Sequence, residues 1–291
     1  MAYDKKDLVD GTTPLNEELV GHMQDAIVAL DQGRYSHFSI DDFYLAFKDL
    51  ADNAANYTSI FDNATFAWFK TFHETTGGTI SCYCFYQDAA DPTFTLDMVP
   101  TKFASEFQAC KGWLRFGFHA LYNGFNYASA TAEKAKTEYE QTISALVKIT
   151  GSTECIDRIP RLHNFAGSLE ACKAMRDALC GTKGFLAAIT GSDGAARQSY
   201  YLDEEFNNYI FIHDYLYDAT NQLHFVRTLD GSDVYKISSI VKDLNYALLG
   251  THVEFFTHEN QLTDGIKSAF VNAYKTLRKT HRPVFWMDIL H

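Results

Sequence analysis

From residue 35 onward, short apolar runs alternate with longer amphipathic stretches. The run at 35–40, Tyr-Ser-His-Phe-Ser-Ile, reads as a first strand and leads into Asp41-Asp42. A helical stretch follows near 63–74, then a β-rich run at 79–86, a helix near 101–111 and a third strand at 114–119. Residues 130–150, rich in Ala, Glu and Lys, form a strong helical pattern stopped by Gly151. The rhythm continues with a strand at 156–163, a helix at 168–179 stopped by Gly181, and a short strand at 184–189. Between 200 and 230 the pattern breaks into short aromatic runs around a turn at Asp218-Ala-Thr-Asn221. That region reads as a hairpin insertion and not as a new domain. A helix at 234–249, a strand at 252–257, a helix at 262–279 and a strand at 284–289 complete the series. Residues 1–33 read as an N-terminal helical extension, with the helical pattern over 15–30.

Roughly seven strands, most followed by a helix, imply an α/β fold whose parallel sheet has right-handed crossovers. No linker rich in Pro, Gly or Ser divides the chain, so residues 1–291 read as a single domain. Closed or nearly closed, such a sheet is a barrel of βα units, with its chemistry at the carboxyl ends of the strands.

Composition narrows the function classes. A hydrophobic fraction of 46% supplies a core, and the 15% of aromatic residues suits buried strands or sugar-stacking surfaces. A formal net charge of −12 argues against nucleic acid, whose phosphates need clustered Lys and Arg. No apolar stretch approaches the ~20 residues that span a bilayer, and the first residues carry no secretory pattern. The expectation is a cytoplasmic protein with reduced cysteines. The six cysteines form no C-x-x-C pair, and Cys82 and Cys84 read as packing residues on one face of a strand.

Four strands end on residues able to bind a metal or move a proton: Asp41-Asp42, His119, His163 and His258. In a barrel these endings converge, which points to a site and most simply to a metal site.

These residues also carry a family resemblance. Phe38-Ser-Ile-Asp-Asp42 resembles the first motif of the polysaccharide deacetylase family (the NodB homology domain, carbohydrate esterase family 4), usually Thr-Phe-Asp-Asp-Gly. Phe116-Gly-Phe-His119 resembles the second motif's strand, Arg161-Leu-His-Asn-Phe-Ala-Gly167 stands in the place of the third, and Glu254-Phe-Phe-Thr-His258 is similar to the closing motif. The matches span about residues 35–290. The resemblance implies a deformed (β/α)7-type barrel of the glycoside hydrolase/deacetylase kind, holding a divalent metal, Zn2+ in the first instance. It also implies removal of an acyl group from an N-acetylated sugar or related amide. Asp41 would be the base, Asp42 and His119 metal ligands, and His258 the general acid. Arg161 would orient the base through a charge-assisted hydrogen bond. With no leader visible, a small glycan or glycoconjugate fits as substrate better than a cell-wall polymer; neither nucleic acid nor membrane is expected as a partner.

The chain departs from the family pattern in three places. Phe43 replaces the glycine after the Asp pair, which implies a different approach of substrate to that loop. His-x-x-x-His becomes His119-Ala-Leu-Tyr-Asn123, and an amide oxygen is a poorer zinc ligand than imidazole. His163 is the candidate to fill the gap as a third ligand, the alternative being that it lines the pocket. The fourth motif, an Asp and Trp pair, has no match near Asp193. Glu259 and Asn260 either hold His258, meet a sugar hydroxyl or sit solvated in a loop. Two readings compete with the deacetylase: a catalytically degraded carbohydrate-binding protein, and a different hydrolase on the same fold.

Overall fold

The computed structural model describes residues 33–88, 91–188, 199–228 and 251–290. The N-terminal helical pattern, the helix expected at 234–249 and Asp193 lie outside the described residues.

The central sheet is parallel. Strands β1 (Tyr35–Phe43), β2 (Ile80–Phe85), β3 (Leu114–Ala120) and β7 (His252–His258) stand in the order β3-β2-β1-β7, and the short β8 (Arg282–Pro283) also pairs with β1. A second, three-stranded sheet has the order β4-β6-β5, from β4 (Gly184–Ala187), β5 (Tyr215–Asp218) and β6 (Leu223–Arg227). The strands β5 and β6 form an antiparallel hairpin, and β4 and β6 are parallel. The protein is thus a mixed α/β fold around a parallel central sheet.

The stretch expected as a strand at 156–163 is not one. It is an extended segment that joins the two sheets by single bonds. Asp157 N–H donates to Phe116 O at 2.8 Å on one side, while Lys183 and Leu186 N–H donate to Arg158 O and Pro160 O at 2.6 and 3.0 Å on the other. Pro160 has no N–H to give back, so no regular ladder forms. His163 already opens a tight turn, His163–Phe165, in which Asn164 and Phe165 both have positive φ. The described strands form an arc, and among the described residues no ladder joins β7 to the second sheet.

The last expected strand, 284–289, is also overturned. Val284 N–H still donates to Ser36 O at 3.0 Å, but the chain then turns helical over Trp286–Ile289, placing the Trp286 ring inside the arc.

The helices among the described residues are α1 (Leu45–Asp52), α2 (Ala64–Thr76), α3 (Ala104–Cys110), α4 (Ala132–Thr150), α5 (Leu169–Arg176), α6 (Glu204–His213), α7 (Asp264–Leu277) and the terminal turn α8 (Trp286–Ile289), which packs on the inner side. Their ends follow local chemistry: Asn63, Thr131, Ser168, Asp203 and Thr263 cap N-termini through side-chain oxygens. Gly151 ends α4 at φ 71, as a left-handed stop requires. The helix α5 stops at Arg176, before Gly181.

Strand alternation splits the core in two. Phe38, Ile40 and Phe43 of β1 face the helices, within a large aromatic cluster that includes Phe47, Phe66, Phe69 and Phe116. Cys82 and Cys84 belong to that outer layer, and all six cysteines are free. The inner face holds a small apolar plug of Tyr83, Ile159, Leu186, Val226, Val284, Trp286 and Leu290. Above the plug, the inner face turns polar.

Candidate metal centre and active site

On β1 the inward positions are His37, Ser39 and Asp41, by the two-residue period of a strand. The strand then leaves its regular path. Asp42 takes φ 55, and the register with β2 shifts between Ile40 and Phe43. A residue in this conformation breaks the alternation, so two consecutive carboxylates reach the same end of the sheet. The loop is held from outside β1. Glu259, directly after β7, accepts hydrogen bonds from the N–H groups of Tyr44, Leu45 and Ala46 at 2.8, 2.7 and 2.7 Å, capping α1. Burial pushes the Glu259 carboxyl up to about 7, against the pull of those three donors.

Asp42, His119 and His163 converge: one ligand-type atom from each lies within 4.8 Å of the others. The Nε2 atom of His119 is 3.2 Å from Asp42 Oδ1, and the two imidazole rings meet edge-on with centroids 5.4 Å apart. Both rings are fixed from behind. His119 Nδ1 donates to the Arg161 carbonyl at 2.6 Å, and His163 Nδ1 to the Phe125 carbonyl at 2.9 Å. A neutral ring that donates from Nδ1 carries its lone pair on Nε2.

The donor set fits a cation. Asp42 Oδ1 is buried with no hydrogen-bond partner. Burial raises the Asp42 carboxyl, but the imidazoles of His119, His258 and His163 outweigh it and leave the group below its ordinary value. Burial, helped by His119, lowers the pKa of His163 and favours the neutral ring. One carboxylate and two imidazoles, each tied to a backbone carbonyl through Nδ1, form a donor set that suits a divalent ion.

Asp41 sits beside this cluster, 2% exposed. The guanidinium of Arg161 donates from Nη1 to Asp41 Oδ1 at 2.8 Å and to Ser39 Oγ at 2.9 Å. Arg161 is itself buried. Burial opposes its charge, but Asp41 and Glu254 more than compensate and hold it firmly protonated. The Phe256 ring lies 4.0 Å from the guanidinium carbon, covering its flat face. His258, at the end of β7, places Nε2 3.9 Å from Asp42 Oδ2.

The structure therefore brings all six sequence candidates, Asp41, Asp42, His119, His163, Arg161 and His258, to one end of the central sheet. Asn123 is exposed in the turn after β3. Phe43 points away from the site: it is fully buried among outer-layer aromatics, so it serves packing and does not shape the site. Glu259 is buried and not a solvated loop residue, and it anchors the β1–α1 loop.

Two residues near the site went unnoticed in the sequence reading. Glu254 and His37 are wholly buried inside the arc, with His37 Nδ1 2.6 Å from Glu254 Oε2. The available signal was a charged residue within the apolar run of β7 and the alternation His37, Ser39, Asp41 on β1.

No family model matches the sequence, and no curated protein matches it. Among solved structures, the chain is similar to a family 4 acetyl xylan esterase from Clostridium thermocellum in complex with a cobalt ion. Identity there is 12%, with 88% of this chain and 89% of that one covered at a TM-score of 0.48. A peptidoglycan N-acetylglucosamine deacetylase, Bc1960, shows 12% identity, coverage of 88% and 87%, and a TM-score of 0.44. A CE4 family pseudoenzyme from Bacillus anthracis shows 8% identity, coverage of 89% and 66%, and a TM-score of 0.44. Function rests on the site's own residues.

Proposed function

We propose that this chain is a metal-dependent hydrolase that deacetylates an N-acetylated sugar or a related amide. The observation that carries this reading is the convergence of Asp42, His119 and His163, with Asp41 and His258 beside them. Asp42, His119 and His163 would hold the ion, and one carboxylate with two imidazoles suits Zn2+ or a neighbouring divalent metal. Such an ion, when bound, supplies Lewis acidity towards an amide carbonyl and eases the ionisation of water. The remaining work falls to the chain. Asp41, held in direction by Arg161 at 2.8 Å, accepts the proton of the attacking water. His258 donates a proton to the departing amine nitrogen. The backbone carbonyls of Arg161 and Phe125 keep both ligand imidazoles in the binding tautomer.

Several features support the setting. No described helix is long and apolar enough to cross a membrane, and all six cysteines are unbridged, which fits a cytoplasmic reaction on a small glycan or glycoconjugate. The 2% exposure of Asp41 favours a second reading, a glycan-binding protein on the same scaffold, because a base needs access to water. One experiment separates them. The zinc-loaded chain is incubated with N-acetylglucosamine oligomers and released acetate is measured, with Asp41→Asn alongside. Deacetylation predicts acetate from the wild type, and a variant that binds zinc equally but releases none. Zinc and glycan binding without acetate from the wild type would overturn the hydrolase reading.

A further inference from the structure

A column of polar side chains runs down the inside of the arc beneath the site. Glu254 lies at its centre, fully buried on β7, and its two carboxylate oxygens take four contacts. On Oε1, Ser39 Oγ donates at 2.6 Å and Arg161 Nη2 at 3.3 Å; on Oε2, His37 Nδ1 donates at 2.6 Å and Trp286 Nε1 at 2.8 Å. Below, His37 Nε2 meets Ser81 Oγ at 3.0 Å, and Ser81 donates to Asp157, which also takes Tyr83 OH at 3.2 Å.

Arg161 is the point where this column meets the chemistry, and it acts at both ends of the residue. Its guanidinium fixes Asp41, while its carbonyl fixes the His119 ring. A guanidinium bonded on Nη1 alone could still pivot about its stem. The second grip, on Nη2, comes from Glu254 and from Thr228 Oγ1 at 3.2 Å. Only Glu254 brings a charge to that grip, and burial makes it strong. Burial raises the Glu254 carboxyl, but His37 first, then Arg161 and Ser39, hold it below its ordinary value. Glu254 touches none of the atoms that would react.

We propose that Glu254, braced by His37 and Trp286, is a positioning residue that fixes the Arg161 guanidinium and through it the direction of Asp41. This assignment rests on the hydrolase reading for its catalytic consequence, but not for its structural one.

The test uses the full chain and two readouts. The first needs no substrate: the Nη–H signals of Arg161 in a 15N-labelled sample. A guanidinium gripped on both nitrogens rotates slowly and gives resolved signals. Glu254→Gln, which keeps the shape and removes the charge, should merge or broaden them while the rest of the spectrum stays folded. The second is acetate release at saturating zinc. Glu254→Gln should lower kcat by roughly 10- to 100-fold with KM and zinc content unchanged, since a base displaced by about an ångström loses that much. Combined with Arg161→Lys, its effect should be much less than multiplicative, because both changes act through one group. Resolved Arg161 signals in a folded Glu254→Gln variant would overturn the inference. So would an unchanged kcat, or fully multiplicative losses in the double variant. A wild type that releases no acetate would sink the hydrolase reading alone and leave the spectroscopic result to decide this one.

Discussion

Replacing His163 with alanine tests the third member of the Asp42, His119 and His163 cluster. The ring is half-buried, its Nδ1 is tied to the Phe125 carbonyl at 2.9 Å, and one of its ring nitrogens lies within 4.8 Å of the Asp42 and His119 donors. Removing an outer-sphere partner of a ligand already costs about 10- to 100-fold in metal affinity. Losing a ligand itself should therefore cost at least the upper figure, on the order of 100-fold. That factor translates into about 2.7 kcal/mol of metal-dependent stabilisation at saturating zinc. For a domain of this size, roughly 2–4 °C accompanies each kcal/mol. The zinc-induced rise in melting temperature should thus be smaller by about 5–10 °C in His163→Ala than in the wild type. The metal-free forms should melt close together, because the ring contributes little to either core. Asn123→Ala, altered at an exposed turn residue, should keep the full zinc-induced rise. Calorimetric melts of the three proteins with and without zinc, in one buffer, supply the comparison. A full rise in His163→Ala, or an equal loss in Asn123→Ala, would remove His163 from the ligand set.

Two further outcomes follow from the anchoring of the site. Glu259→Ala leaves three N–H groups at the start of α1 without their acceptor and should destabilise the fold by about 2–4 kcal/mol in urea titrations. The raised Glu259 pKa favours the protonated form in the folded state. Its stabilising contribution is therefore complete below the ordinary value of 4.5 and lost as pH rises through about 7. Relative to Glu259→Gln, the wild type should accordingly lose stability across that window; a pH-independent difference would contradict the assignment. Phe43→Gly should cost about 3–5 kcal/mol or more, since it empties a fully buried aromatic site. A near-neutral effect on the urea midpoint would show that Phe43 is not held by packing.

The parts of this fold that depend on near neighbours in sequence were legible. The strands that became β1, β2, β3 and β7 announced themselves as apolar or alternating runs, and α4 carried its own cap and stop in Thr131 and Gly151. Distant partners hid the rest. The helix α1 starts where Glu259, more than two hundred residues away, accepts its first N–H groups. The run Phe206–Ile212 looks strand-prone, and only Asp203 as cap with Glu204 and Glu205 in the first turn marked the helix α6. Residues 284–289 read as a strand because nothing local said that Trp286 would turn inward to Glu254. The candidate site was legible through its strand endings, each a polar residue placed after an apolar run. Its bracing was not, because a glutamate or histidine between aromatic residues looks alike whether it faces solvent or another charge.

The alternation of β1 has a consequence for how the chain finds its own alignment. Phe38, Ile40 and Phe43 face one way, and His37, Ser39 and Asp41 the other, each set complete and buried. A slip of one residue against β2 or β7 would press the histidine and carboxylate into the aromatic layer. It would also turn three large apolar side chains onto Arg161 and Glu254. A slip of one residue satisfies neither side. The same residues that build the site thus act as a key for threading the first strand, so a misaligned chain is penalised on both faces at once and never resembles the finished protein.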